Sequence, residues 1–82
     1  MHEMGIAVSV VEALEKELAF RPGARLLRVA LRVGEMAGLD SESLSFCFTC
    51  ITKDTPFETA ELSIERSNDD ALDLVHLELE VP

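Results

Sequence analysis

The apolar residues switch between two spacings along the chain, and the order of those switches restricts the fold more than any other property of the sequence. From Met4 to Phe20 the residues Met4, Ala7, Val8, Val11, Leu14 and Leu18 recur at steps of three and four, with Glu12, Glu15, Lys16 and Glu17 between them. This is the period of an amphipathic helix. It ends at Arg21-Pro22-Gly23, where proline disfavours helix in the residue before it and glycine opens the turn. From Arg25 to Val33 the step becomes two: Leu27, Val29, Leu31 and Val33 share one face, Arg28 and Arg32 the other, as in a half-covered strand.

The two glycines of Gly34-Glu35-Met36-Ala37-Gly38-Leu39 predict a loop, and Asp40 or Ser41 suits the cap of a second helix with Leu44, Cys47, Phe48 and Ile51 as its stripe. Lys53-Asp54-Thr55-Pro56 closes that helix. Leu62 and Ile64 alternate with Glu61, Ser63 and Glu65 in a second strand, and Leu72 to Val81 alternates as a third. The phase of this last strand slips once, since Leu72 and Leu74 precede Leu77, Leu79 and Val81, which predicts a bulge near Leu74-Val75. Ser67-Asn68-Asp69-Asp70, dense in turn formers, reads as a tight hairpin between strands two and three. The expected fold is α+β, with two helices packed on a three-stranded mixed sheet in the order helix, strand, helix, strand, strand. Two open edges leave room for a homodimer through a sheet edge.

A chain of 82 residues supports one modest core, and a hydrophobic content of 48% spread along its whole length argues against disorder despite a formal charge of -9. Sixteen acidic against seven basic residues exclude a duplex-binding surface, which needs Lys and Arg along the phosphates, so nucleic acid is not an expected partner. No apolar stretch approaches the roughly 20 residues of a membrane span, and the basic-then-apolar order of a signal peptide is missing, so the expected location is cytoplasmic and off the membrane. No Ser-His-Asp set, phosphate loop or carboxylate pair supports an enzyme.

Cys47 and Cys50 are the only cysteines and form one C-x-x-C pair. A structural zinc site takes four such ligands, whereas two sit well in a helix as small apolar residues. Beside Phe46 and Phe48 they read as core. A thiol redox role would need a helix N-terminus or a basic neighbour to lower a thiol pKa, and the nearest base, Lys53, lies after the pair.

The chain opens Met1-His2-Glu3. The amine of Met1 and the amide nitrogen of His2 can close a five-membered ring on one metal, and that amide with Nδ1 of His2 a six-membered ring. A deprotonated amide is a strong in-plane donor that suits Ni(II) and Cu(II). Glu3 adds its amide, its carboxylate, or a hydrogen bond that orients the histidine. The bulk of His2 disfavours removal of the initiator methionine, so the amine is expected to persist. The plainer alternative is a polar cap before the helix, with Glu3 at the positive end of the helix dipole.

The chain resembles the HypA/HybF family of hydrogenase-maturation nickel metallochaperones. The resemblance rests on MHEMGIAVSVVEALEKE at the start, RVALRVGEMAGLDSESLSFCFTCITKDTP in the middle, AELSIE after it and DDALDLVHLELEV at the end. Within these, the opening MHE, the GE turn after the first strand, the L-x-F-x-F helix running out to T-x-x-T-P and the A-x-L-x-I-E strand keep the family's order. The resemblance implies Ni(II) bound through Met1, His2 and Glu3, with Asp40 at a position where the family often carries an acidic residue near the nickel. Asp40 reads equally well as a helix cap. It also implies a non-enzymatic chaperone that passes Ni(II) to the large subunit of a [NiFe]-hydrogenase beside a HypB-type GTPase.

One departure stands out. Family members insert a zinc domain with two C-x-x-C pairs after the second strand, whereas here Ile64-Glu65-Arg66 runs through Ser67-Asn68-Asp69 directly into the last strand. The chain is therefore read as a single nickel-binding domain over residues 1–82, the zinc domain being absent between about 66 and 70, and no zinc is expected. Cys47 and Cys50 lie on the second helix and do not replace it. Glu35 in the GE turn reads as structural, and His76 as a solvent-facing strand residue. The alternatives left open are an interaction module of the same fold that has lost metal delivery, and a thiol redox protein using Cys47 and Cys50.

Overall fold

The computed structural model describes residues 2–82. Helix α1 (Glu3–Ala19), strand β1 (Arg25–Gly34), a 3-10 turn (Glu35–Ala37), helix α2 (Ser41–Thr52), strand β2 (Glu61–Ser67) and strand β3 (Leu72–Glu80) follow in that order. The three strands form one mixed sheet, β2-β1-β3, with β1 parallel to β2 and antiparallel to β3. The parallel pair follows from the helix between its members: a strand that continues in the same direction beside its predecessor needs a long return path, and α2 supplies it. Two helices on a three-stranded mixed sheet are what the spacing predicts.

Leu26, Val29, Leu31 and Val33 of β1 meet Ala7 and Leu14 of α1, and Leu44 and Phe48 of α2, in one buried cluster with Leu39 and Phe57. Register carries that layer outward, since Val29 pairs with Leu62 and Leu77, and Leu31 with Ile64 and Leu74. The opposite face is charged. Arg28 stands between Glu61 and Glu78, at 3.1 and 3.9 Å, and Arg25 faces Glu80 at 3.8 Å. These exposed pairs fix register more than they add stability.

The strand phases slip twice. Along β3 the partner of β1 jumps from His76 to Leu74, which leaves Val75 as the extra residue and agrees with the expected bulge. A second slip, between Leu26 and Arg28, overturns part of the reading of β1: Leu26 is buried at 2% exposure and Leu27 lies outside at 37%. The bulge turns Leu27 away, and adjacent leucines disguise the change of face. The α1 stripe is also rotated. Ala7 and Leu14 are its centre with Ile6, Val10, Val11 and Leu18 beside them, and Met4 and Val8 are exposed. Val8 is turned about 100° from Ala7, at the margin of the stripe.

The expected hairpin is also overturned. β2 and β3 do not pair; β1 lies between them, and residues 68–71 cross its end. The crossing is tied down by main-chain bonds, from Gly34 N–H to Ala71 O at 2.8 Å and from Met36 N–H to Asp69 O at 2.9 Å. Asp69 tightens it by accepting from Ser67 Oγ at 2.6 Å and Ala71 N–H at 3.1 Å, and these bonds hold its carboxyl below the usual carboxylate range. Gly34 is required for space rather than conformation. Its φ of -71° is open to any residue, but a Cβ there would fall on the Asp69 carbonyl and 2.7 Å from Ala71 N.

Candidate metal centre

His2 is the N-cap residue of α1, with its carbonyl accepting from Ile6 N–H at 3.0 Å and its side chain making no capping bond. By helix geometry the amides of Glu3, Met4 and Gly5 have no acceptor inside the helix. The imidazole is exposed and uncommitted to the cap. Glu3, half-buried, turns back from the first turn, and its Oε2 accepts from the main-chain N–H of Asp40 at 3.2 Å.

Asp40 is brought there by the short turn after β1. Gly38 takes the left-handed conformation at φ 71°, buried Leu39 anchors the chain to the core, and Asp40 becomes the N-cap of α2. Its Oδ1 accepts from Glu42 N–H at 2.9 Å and Ser43 N–H at 3.2 Å. The cap reading of Asp40 therefore holds, and the same turn places it against Glu3, 37 residues away in sequence. The two helix N-termini thus meet at an open cleft of about 690 Å³ lined by His2, Glu3, Met4, Gly5, Glu42, Ser43, Phe46 and Cys47.

Replacing Asp40 by alanine is expected to lower stability by about 1 kcal/mol through loss of the cap, whereas asparagine, which caps as well, should leave it nearly unchanged. Thermal melts of the two variants check this.

A second group lies behind the turn. Arg66, near the end of β2, grips Glu35 with two parallel bonds, Nε to Oε1 at 3.1 Å and Nη2 to Oε2 at 3.0 Å, and its Nη1 donates to Ser41 Oγ, at the first residue of α2. The bonds from Arg66, with its charge, hold the Glu35 carboxyl below its ordinary value, and Glu35 and Asp40 raise the guanidinium in turn. A depressed carboxylate keeps its contribution above the ordinary glutamate range and loses it as pH falls through the lower folded value, so this pair is intact at neutral pH. Glu35 is structural, as read from the sequence. The sequence marks Ser41 only as a possible cap and Arg66 not at all, because the partners of Arg66, Glu35 and Ser41, lie 31 and 25 residues away.

Of the residues expected at a nickel site, Glu3 and Asp40 are in contact, His2 lines the same cleft as Glu3, and Met1 lies outside the described residues. Among the described residues no group of three or more His, Cys, Asp or Glu side chains is arranged to hold a metal ion. His76 is exposed on β3, 3.3 Å from Glu78, as expected of a solvent-facing strand residue. The cysteines divide. Cys47 is half-buried against the core, as expected, but Cys50 is exposed, because Cys47 lies at the margin of the buried stripe, about 100° round the helix from Phe48, whereas Cys50 lies about 160° from it, on the solvent side. Among the described residues no helix is long and apolar enough to cross a membrane.

A family profile described as "HypA: Hydrogenase/urease nickel incorporation, metallochaperone, hypA" matches residues 1–72. The hydrogenase maturation factor HypA of Chlorobium limicola is 45% identical over 65 residues, covering 79% of this chain and 56% of its own length. The corresponding protein of Geobacter metallireducens is 46% identical over 66 residues, covering 80% of this chain and 57% of its own. The chain thus spans somewhat over half the length of these relatives. The solution structure of the Ni metallochaperone HypA from Helicobacter pylori superposes with a TM-score of 0.73 over 99% of this chain and 97% of that one, at 16% identity, a likeness of fold.

Proposed function

The chain belongs to the HypA family, and on that premise we propose that it binds Ni(II) at its amino-terminal triplet and passes it to the large subunit of a [NiFe]-hydrogenase during maturation. The observation that carries this reading is the contact between Glu3 and Asp40, which pins the start of the chain to the cleft while leaving the His2 imidazole exposed and uncapped. The amine of Met1 and the amide of His2 close one chelate ring, and that amide with Nδ1 a second; the amide or carboxylate of Glu3 completes the set, with the main chain of Asp40 steadying Glu3. Such nitrogen-rich, partly in-plane coordination suits Ni(II) better than zinc.

The surroundings favour release as much as capture. Two helix N-termini point their positive ends at the cleft and weaken cation binding by about 0.3–1 kcal/mol each, which Glu3 and Glu42 in the first turns offset. An open cleft with few ligands lets cargo leave. In this reading the domain is a cytoplasmic carrier rather than an enzyme, works beside a HypB-type GTPase, and is a single nickel-binding unit that lacks, between about residues 66 and 70, the zinc domain that family members carry.

The test is calorimetric titration of Ni(II) into protein with a free Met1 amine and into protein whose Met1 amine is acetylated. The first should bind one equivalent. The second should bind at least about tenfold more weakly, roughly 1.4 kcal/mol, because acetylation turns the amine into an amide and supplies no new amine. Equal affinities would remove the amine from the ligand set. Delivery is tested by restoring hydrogenase activity in cells that lack their own family member, which the parent chain should do and a nickel-deficient variant should not.

A further inference from the structure

The described contacts continue beyond the residues that would touch nickel. Glu35 sits between two tied positions, since Gly34 N–H is bonded to Ala71 O and Met36 N–H to Asp69 O. That makes its carboxylate a fixed post rather than a mobile surface group. Arg66 is held to the post through both Glu35 oxygens, which sets the plane of the guanidinium and aims Nη1 at Ser41 Oγ. A bidentate arginine pair of this kind fixes direction as well as distance, which a lysine ammonium does not. Ser41 follows directly on Asp40, whose main-chain N–H holds Glu3.

We propose that Arg66, held by Glu35, is a positioning residue for the amino-terminal metal site: it fixes the Asp40-Ser41 turn so that the Asp40 amide meets Glu3 and seats the metal-binding triplet. This rests on the reading that nickel binds at that triplet. Arg66 touches neither the metal nor a ligand side chain, and it acts through the order of the turn. Outer partners of this kind commonly change metal affinity by about 10–100-fold. Here a value near the low end is expected, because two bonds separate Arg66 from Glu3.

The experiment compares Arg66→Gln, Arg66→Lys and Ser41→Ala with the parent and with His2→Ala, by Ni(II) titration and by hydrogen exchange of the Asp40 amide. Arg66→Gln should bind nickel about tenfold more weakly, with faster exchange at Asp40 even in metal-free protein. Arg66→Lys, which keeps the charge and loses the fork, should restore little of either. Ser41→Ala leaves the Arg66–Glu35 pair in place and should weaken binding several-fold with an unchanged melt, so the inference survives a fold-damaging arginine variant. Parent-like nickel affinity and Asp40 protection in both Arg66→Gln and Ser41→Ala would overturn the positioning role while leaving the triplet as the site. Parent-like binding by His2→Ala, or none by the parent, would overturn the triplet itself and this inference with it.

Discussion

His2→Ala is expected to abolish stoichiometric Ni(II) binding and to leave the fold untouched. The imidazole is exposed, makes no capping bond and lies outside the buried cluster, so its removal creates no cavity and orphans no partner. The loss to the metal is large, because the six-membered chelate ring opens and the flanking donors lose the ligand that closes the set. We expect affinity to fall by at least about 100-fold, or roughly 2.7 kcal/mol. Residual binding should also change character: imidazole, amine and amide give up protons to the metal, so the parent binds more tightly as pH rises, and the variant should lose the imidazole's share of that dependence. Titration at several pH values beside a far-ultraviolet circular dichroism spectrum decides it. Unchanged affinity with an unchanged spectrum would place nickel elsewhere.

Gly34→Ala is expected to have the opposite profile, a severe loss of stability at a residue that touches no ligand. The added methyl would collide with main-chain atoms of Asp69 and Ala71 rather than with a side chain free to swing aside. Relief requires the crossing segment to lift, which breaks the bonds from Gly34 to Ala71 and from Met36 to Asp69. Overpacking and two lost hydrogen bonds together cost about 3 kcal/mol. For a domain of this size that lowers the melting temperature by on the order of 15 °C. A variant that melts within a few degrees of the parent would show that the crossing moves freely. Because Glu35 follows directly on Gly34, the same substitution should also disturb the Arg66 pair.

What could be read in the sequence was local. The bulge at Val75 was visible because the leucines of β3 change face without a polar residue to disguise the slip, whereas the bulge at Leu27 was hidden by two adjacent leucines that allow either face. Ser67-Asn68-Asp69-Asp70 carries every mark of a hairpin turn, and its composition is indeed that of a tight bend. In the fold β3 crosses instead to the other side of β1, where Leu77 and Leu74 pair with Val29 and Leu31, and β2 is left as an edge strand. The candidate site divides in the same way. His2 and Glu3 stand out because they are neighbours, and Asp40 because caps have a sequence signature. The contacts that assemble them span 31 and 37 residues, as Arg66 to Glu35 and Glu3 to Asp40, and no periodicity records such pairings.

The crossing also makes the end of the sheet a place where parts can be exchanged. Ser67 is paired with Gly34 and Leu72 with Val33, so the last residue of β2 and the first of β3 flank β1 and lie about 10 Å apart. Any module whose own termini stand at that separation can be spliced in place of residues 68–71 without a change of strand order, provided it restores the two bonds to Gly34 and Met36. Closing a longer loop there adds little, since each doubling of length costs only about 0.6 kcal/mol. The domain is in this respect a chassis with one fitting, and whatever is mounted on it emerges beside Glu35.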